Sequence, residues 1–285
     1  MKISEIISQK QKTLSLEVFP PKQWDKLEQS KLTVRQLLDY QPDFISVTYG
    51  AAGTTGGYTC EIASDILQHG GTPLAHLTCI NSTKEKVENV LNDLKEHGIH
   101  NILALRGDIP KEHSETPADF RFASELIEFI KQKGDYCIGG ACYPEKHPES
   151  RSVNEDIQNL KIKTDAGADF LTTQMFFSNS LFFEFKNSCE AAGIHVPIIA
   201  GIMPITAVSQ IGRSVSLSGC TIPKEFSDLA AKYAGSAADM RKAGIDYAIK
   251  QIRDLLENGQ KNIHIYTMNK PETTGEVLKG IEDLI

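Results

Sequence analysis

The chain has 285 residues, 40% of them hydrophobic, and a formal charge of −7 from 37 acidic against 30 basic side chains. That is enough apolar matter for a large core and excludes a disordered chain, while the acidic balance, with both signs interspersed, argues against a nucleic-acid or anionic-membrane surface. The six cysteines form no CxxC pair, the N-terminus MKISEIISQKQK lacks the apolar core of a signal peptide, and no apolar run approaches the roughly 18 residues of a membrane span, so the expectation is a reduced, cytoplasmic protein.

In chain order, LSLEVFPP (14–21) and FISVTYG (44–50) read as strands. A phrase then recurs: a polar helical stretch, a glycine, a short apolar run. It appears as LQHGGTPLAHLTC, LKEHGIHNILALRG, IKQKGDYCIGGACYP, TDAGADFLTTQMFF, CEAAGIHVPIIAGIMP and LENGQKNIHIYTMN, and the glycines at 71, 98, 134, 167, 193 and 259 mark six helix ends expected in the left-handed conformation. Between them, Ser82-x-x-Glu85 reads as a capping box ahead of Val87, Val90, Leu91 and Leu94 at helical spacing. Eight β-α units imply parallel strands with right-handed crossovers, and the length suits a single (β/α)8 TIM barrel over residues 1–285. The alternative, a doubly wound open sheet, usually carries a glycine-rich first turn, whereas LEVFPPKQW has no glycine. Two insertions stand out, IPKEHSETPADF (109–120) and extra helical chain over 205–235 before a long helix at 237–258.

A barrel of this type places its active site at the carboxyl ends of the strands. Those ends collect Glu17, Thr48-Tyr49, His76, Arg106-Gly107-Asp108, Tyr143-Glu145-His147, Gln174, Pro204 and Asn269-Lys270. In LSLEVFPP, alternation puts Leu14, Leu16 and Val18 on one face and Ser15, Glu17 and Phe19 on the other, which aims Glu17 into the mouth, where desolvation is expected to raise its pKa and suit it to general-acid work. Each residue also has a structural alternative: Arg106 and Asp108 as an ion pair, His76 as a satisfied core histidine, Tyr143 and His147 as stiffened loop residues. A metal is not expected, since His and Cys lack ligand spacing, and neither a Schiff-base lysine in a strand interior nor a G-x-S-x-G elbow is present. What remains is recognition of a planar, hydrogen-bonding molecule.

EVFPP (17–21), VTYGA (47–51), HLTC (76–79), LRGD (105–108), YPEKHPE (143–149), LKIKTDAGADFLTTQMFF (160–177) and GIMPI (201–205) together resemble the bacterial type of methylenetetrahydrofolate reductase. The resemblance implies a flavoprotein oxidoreductase: FAD reduced by NADH or NADPH and reoxidised by 5,10-methylenetetrahydrofolate, giving 5-methyltetrahydrofolate for methionine biosynthesis by ping-pong hydride transfer through flavin N5. It assigns Glu17 as the acid that protonates the folate so that its methylene bridge opens, and Asp108 as the charge near the flavin ring. Thr48, Tyr49, His76, Arg106, Gly107, Asp108, Ala123, Tyr143, His147, Asp156, Asn159 and Lys163 fall at positions of FAD contacts. Gln174, Gln210 and Lys270 fall at substrate positions, Gln174 serving folate and nicotinamide in turn. A homo-oligomer is also implied, and the chain's end shortly after its eighth helix is read as leaving no C-terminal regulatory domain. Three departures bear on substrate contacts: Lys270 stands where arginine is common, AGTTGGYT (52–59) where a charged loop is usual, and Ser214 where some members carry an aromatic. The competing readings are a flavin-free pterin-binding methyltransferase and a non-catalytic folate-binding barrel, both colourless.

Overall fold

The computed structural model describes residues 1–49, 57–108 and 118–285. Eight parallel strands, β1 (Thr13–Val18), β2 (Phe44–Val47), β3 (Pro73–Thr78), β4 (Asn101–Leu105), β5 (Cys137–Cys142), β6 (Phe170–Thr173), β7 (Ile198–Ile202) and β8 (Asn262–Tyr266), close into a barrel in chain order, β8 pairing with β1. The open-sheet alternative is thereby excluded. Around the barrel run α3 (Gly57–Gln68), α4 (Lys84–Glu96), α5 (Ala123–Lys133), α6 (Val153–Asp165), α7 (Asn179–Ala191), α10 (Ala237–Glu257) and α11 (Pro271–Lys279), with α2 (Leu27–Leu38) after β1. The insertion before the long helix forms α8 (Val208–Ser218) and α9 (Lys224–Lys232), while residues 109–117 of the other insertion, and 52–56 of the AGTTGGYT loop, lie outside the described residues.

Strand alternation sorts the side chains into two cores. Leu14, Leu16, Val18, Ile45, Val47, Ala75, Leu77, Ile102 and Ile138 point outward and pack with the buried faces of the helices. Phe44, Leu74, Leu103, Cys137, Phe170 and Ile199 point inward and fill the lower barrel. That lower layer is closed from below by a helix the sequence reading did not anticipate, α1 (Ile3–Gln9), whose Ile3 is fully buried against it. Asn101 ties the plug down: its Oδ1 accepts from Ile3 N at 3.0 Å and its Nδ2 donates to Met1 O and Pro73 O, both at 3.2 Å.

Two local expectations need correction. The cap of α4 is Thr83, whose hydroxyl accepts from Lys86 N at 3.2 Å, not Ser82, because the helix starts one residue later than the S-x-x-E spacing suggests. Of the six marked glycines, 98, 167, 193 and 259 are left-handed; at the LQHGG turn Gly70 (φ +81°) takes that role rather than Gly71, and Gly134 is extended at φ 162°. Gly71 is held by contact instead, since a Cβ there would lie 2.6 Å from Leu38 Cδ2 and 2.8 Å from Ile66 Cγ2.

Candidate active site

The pairing register explains why polar side chains converge in the upper barrel. Ser15 lies beside His264 and Glu17 beside Tyr266 across the β1–β8 pair, while Glu17 lies beside Ser46 across β1–β2. Above the apolar layer the barrel therefore changes to Ser15, Ser46, His76, His264 and Thr172, all buried, with Glu17 above them and 20% exposed. One carboxylate oxygen, Glu17 Oε2, is approached by Ser46 Oγ at 3.3 Å, His76 Nε2 at 3.5 Å and His264 Nε2 at 3.6 Å.

This surrounding corrects the expected pKa. Burial does push the Glu17 carboxyl upward and is the largest single influence, but His264, His76 and the Ser46 hydroxyl together hold it below the ordinary carboxylate value. The sequence showed the apolar strand around Glu17 and not the histidines folded against it. Burial pushes His76 down to about 4, against an upward pull from Glu17, so its imidazole is neutral at neutral pH.

Around this centre the expected residues form three sectors of the barrel's upper rim. In the first, after β2, Thr48 N bonds to Val18 O at 3.0 Å and Thr48 O accepts from Thr59 Oγ1 at 2.9 Å, fixing the entry to α3, with Tyr49 packed against the outer core. The second runs from β4 to α6. Arg106 does not pair with Asp108: its guanidinium grips Glu149 in two bonds of 2.6 and 2.7 Å. Gly107 turns the chain at φ +88° with Ile80 and Thr78 packed beneath it, leaving Asp108 exposed. The Tyr143 and His147 rings meet edge-on at 4.7 Å, and His147 Nδ1 accepts from Glu149 N at 3.1 Å. Asp156 accepts from Ser150 Oγ at 2.7 Å, and Lys163, its ammonium pushed down by burial, donates to Ala141 O at the end of β5. Ala123 opens α5 and is buried, while Asn159 is exposed on α6.

The third sector spans β6 to β8. Gln174 is half-buried, its Oε1 accepting from Met175 N at 2.9 Å. Gln210 and Lys270 line one small pocket together with Pro204, Thr206 and Tyr266. The Gln210 amide oxygen is committed to the start of α8, accepting from Thr206 N at 2.8 Å and Ala207 N at 2.9 Å, so its amide NH2 is the half left to meet a ligand. Ser214 is buried in α8. The sequence reading missed Ser15, Ser46, His264 and Tyr266 as members of the site, although NIHIY carries the signal: Ile263 and Ile265 face the helices, which leaves His264 and Tyr266 facing inward.

The family model described as methylenetetrahydrofolate reductase matches residues 2–282. The chain belongs to this family. It is 34% identical over 265 residues to the 5,10-methylenetetrahydrofolate reductase of Escherichia coli, covering 93% of this chain and 88% of that one. The relative from Pectobacterium carotovorum is also 34% identical, with 91% and 86% covered. Against methylenetetrahydrofolate reductase (NADH) 1 of Arabidopsis thaliana the identity is 34% over 98% of this chain, which spans 50% of the plant protein. A solved Clostridium thermocellum protein described as binding two copies of 5-methyl-5,6,7,8-tetrahydrofolic acid superposes with a TM-score of 0.65 over 99% of both chains at 12% identity, which speaks to the fold. Family membership makes this an oxidoreductase with methylenetetrahydrofolate reductase activity.

Among the described residues, Cys60, Asp93 and His97 are grouped closely enough to suggest a metal. His97 Nδ1 donates to Asp93 O at 2.8 Å, and burial pushes the Cys60 thiol up to about 12. All six cysteines are free and buried, and among the described residues no helix is long and apolar enough to cross a membrane.

Proposed function

We propose that the protein reduces 5,10-methylenetetrahydrofolate with electrons from NADH or NADPH carried by bound FAD, the two substrates using one barrel mouth in alternation. The observation that carries this reading is Glu17: a partly exposed carboxyl at the mouth, backed by two buried histidines whose Nε2 atoms lie 3.5 and 3.6 Å from it and have no hydrogen-bond partner among the described residues.

The donor chemistry of the β4–α6 sector fits FAD. Two cations, Arg106 and Lys163, suit a diphosphate, and the edge-on Tyr143 and His147 rings offer apolar faces beside hydrogen-bonding atoms. Thr48, Tyr49, His76, Gly107, Ala123, Asp156 and Asn159 complete the residues assigned to hold it, with Asp108 the anion that biases how readily the ring takes and gives electrons. FAD bound there supplies the carrier that accepts a hydride from the nicotinamide and passes it to the folate. The chain's own tasks are to hold a proton at Glu17 for the folate nitrogen, to orient the folate through Gln174, the Gln210 amide NH2 and Lys270, and to keep water from below with the Phe44 and Phe170 layer. Lys270 meets the substrate's carboxylate tail as a point charge rather than a planar fork. On this reading the protein is a cytoplasmic homo-oligomer serving methionine biosynthesis.

The test is a visible spectrum of the purified protein, followed by anaerobic addition of NADH or NADPH and then methylenetetrahydrofolate. A yellow protein bleached by nicotinamide and recoloured by folate is the expected result. A colourless protein that takes up no added FAD would overturn the reading in favour of a flavin-free pterin-binding barrel.

A further inference from the structure

Outside the barrel, α3 and the end of α4 bring together three side chains that the folate chemistry does not use. Cys60 comes from the first turn of α3 and is buried; Asp93 stands in the last turn of α4 and His97 caps it, both reachable from solvent. Cys60 Sγ lies 3.5 Å from His97 Nδ1, His97 Nδ1 lies 3.4 Å from Asp93 Oδ1, and the sulfur and the carboxylate lie within 4.8 Å of one another. Those spacings match the edges of a coordination tetrahedron. With ordinary zinc bond lengths, tetrahedral geometry separates sulfur from nitrogen by about 3.6 Å and nitrogen from a carboxylate oxygen by about 3.4 Å. Thiolate, imidazole and carboxylate are donors that a zinc-class ion accepts, with the fourth corner left to water.

A neighbouring side chain points the same way. Ser64, one turn further along α3, is buried, and its Oγ has no hydrogen-bond partner among the described residues. It draws the Cys60 thiol downward, as a hydroxyl aimed at the sulfur does. A buried hydroxyl without a partner costs free energy, and a thiolate accepts its hydrogen strongly where a thiol accepts it weakly.

We propose that Cys60, Asp93 and His97 form a binding site for one zinc-class divalent cation, with water as the fourth ligand and Ser64 donating to the bound thiolate. The site is independent of the folate-reducing reading. Binding is a balanced exchange. The metal-free site holds the Cys60 S–H, kept protonated by burial and by Asp93, and the His97 Nδ1–H, which Asp93 O accepts at 2.8 Å. On coordination the thiol proton leaves to solvent, and the exposed imidazole exchanges its Nδ1 hydrogen for one on Nε2. One proton leaves as one divalent ion enters, and the ion's two charges are met by a thiolate and a carboxylate. Asp93 O is not orphaned, because it keeps His97 N at 3.2 Å. The ligand set escapes a spacing search because Cys60 and His97 are 37 positions apart and on different helices. Occupancy ties α4 to the turn of α3 that also carries Thr59, whose hydroxyl donates to Thr48 O at 2.9 Å beside the mouth.

The test titrates the full chain, after chelator treatment, with Zn2+ by calorimetry and with Co2+ by difference absorption against the cobalt-free protein, which subtracts any flavin spectrum. The expected result is one ion per chain, with the intense visible bands of tetrahedral cobalt and a thiolate-to-cobalt charge-transfer band. Cys60→Ser should abolish that band. His97→Ala, at an exposed ring, should leave the fold intact and weaken Zn2+ binding by more than tenfold, and Ser64→Ala should weaken it by about tenfold. Zn2+ should raise the thermal midpoint of the wild type and not that of Cys60→Ser. Absence of Zn2+ binding, affinity unchanged in His97→Ala, or cobalt bound without the thiolate band would overturn the site. None of these readouts uses folate or nicotinamide, so a failure here leaves the reductase reading standing, and a colourless protein leaves the metal site standing.

Discussion

Replacing Gly107 and Gly70 by alanine separates two costs that one substitution alone would confound. Both residues have nearly the same φ, +88° and +81°, in the region where an L side chain pays about 1–2 kcal/mol. Alanine also loses less chain entropy on folding, which returns about 0.4–1 kcal/mol. At Gly70 nothing lies within 4 Å of a built Cβ, so Gly70→Ala should cost only about 0.5–1 kcal/mol. At Gly107 the same methyl would meet Ile80 Cγ2 at 2.7 Å and Thr78 Cβ at 3.1 Å. Forced overpacking adds about 1–3 kcal/mol, for a total of about 2–4 kcal/mol. Urea unfolding with a shared m-value gives both numbers. Equal costs for the two variants would refute the reasoning, since they would mean that Ile80 and Thr78 yield freely and that Gly107 is held only by its φ.

Three further outcomes follow from other parts of the barrel. Ile3→Ala removes the fully buried centre of the α1 plug and should cost about 2–3 kcal/mol by urea unfolding, toward the low end of such truncations because a terminal helix can detach; a cost under about 0.5 kcal/mol would show that α1 does not seal the barrel. Gly244→Ala places a methyl 1.7 Å from Ile205 O, where α10 crosses the chain after β7, and should cost about 3 kcal/mol or more; a circular-dichroism melt within a degree or two of the wild type would contradict that approach. His76 has a pKa of about 4 in the folded barrel against 6.5 ordinarily, so between those values the unfolded chain binds more protons and stability falls as pH drops. The loss reaches about 3 kcal/mol at most, and the depressed carboxyl of Glu17 adds to it as pH falls further. His76→Gln should flatten urea-measured stability between pH 6.5 and 4, and an unchanged slope would refute a neutral His76.

The fold was legible because barrel strands carry a two-sided code. Leu14, Leu16 and Val18 against Ser15 and Glu17 already stated which face meets helices and which meets the interior, and the helix-end glycines spaced the strands. The plug was not legible. Three isoleucines, Ile3, Ile6 and Ile7, are too few for a periodic signal, and what they cover is a hole that exists only after eight strands have closed. Gly70 and Gly71 show a finer limit, because neighbouring glycines can serve different needs: one supplies a left-handed backbone and the other makes room for Leu38 and Ile66.

The site was legible as a ring of residues and illegible as a set of partners. Position at a strand end announced Glu17, His76 and Arg106, yet the partners that decide their chemistry come from elsewhere: His264 lies 247 positions after Glu17 and meets it because β8 closes on β1. Arg106 is held in two bonds by Glu149, within a quoted motif but across 43 residues, rather than in the alternative pair with its own neighbour Asp108. For the carboxyl the consequence was a reversed sign. A strand seen alone supplies only desolvation, which raises an acid, whereas the closed barrel adds two imidazoles and a hydroxyl that lower it. The titration of this carboxyl is therefore a property of closure: it depends on which strands the eighth strand joins, and a substitution on β8 can shift a carboxyl on β1.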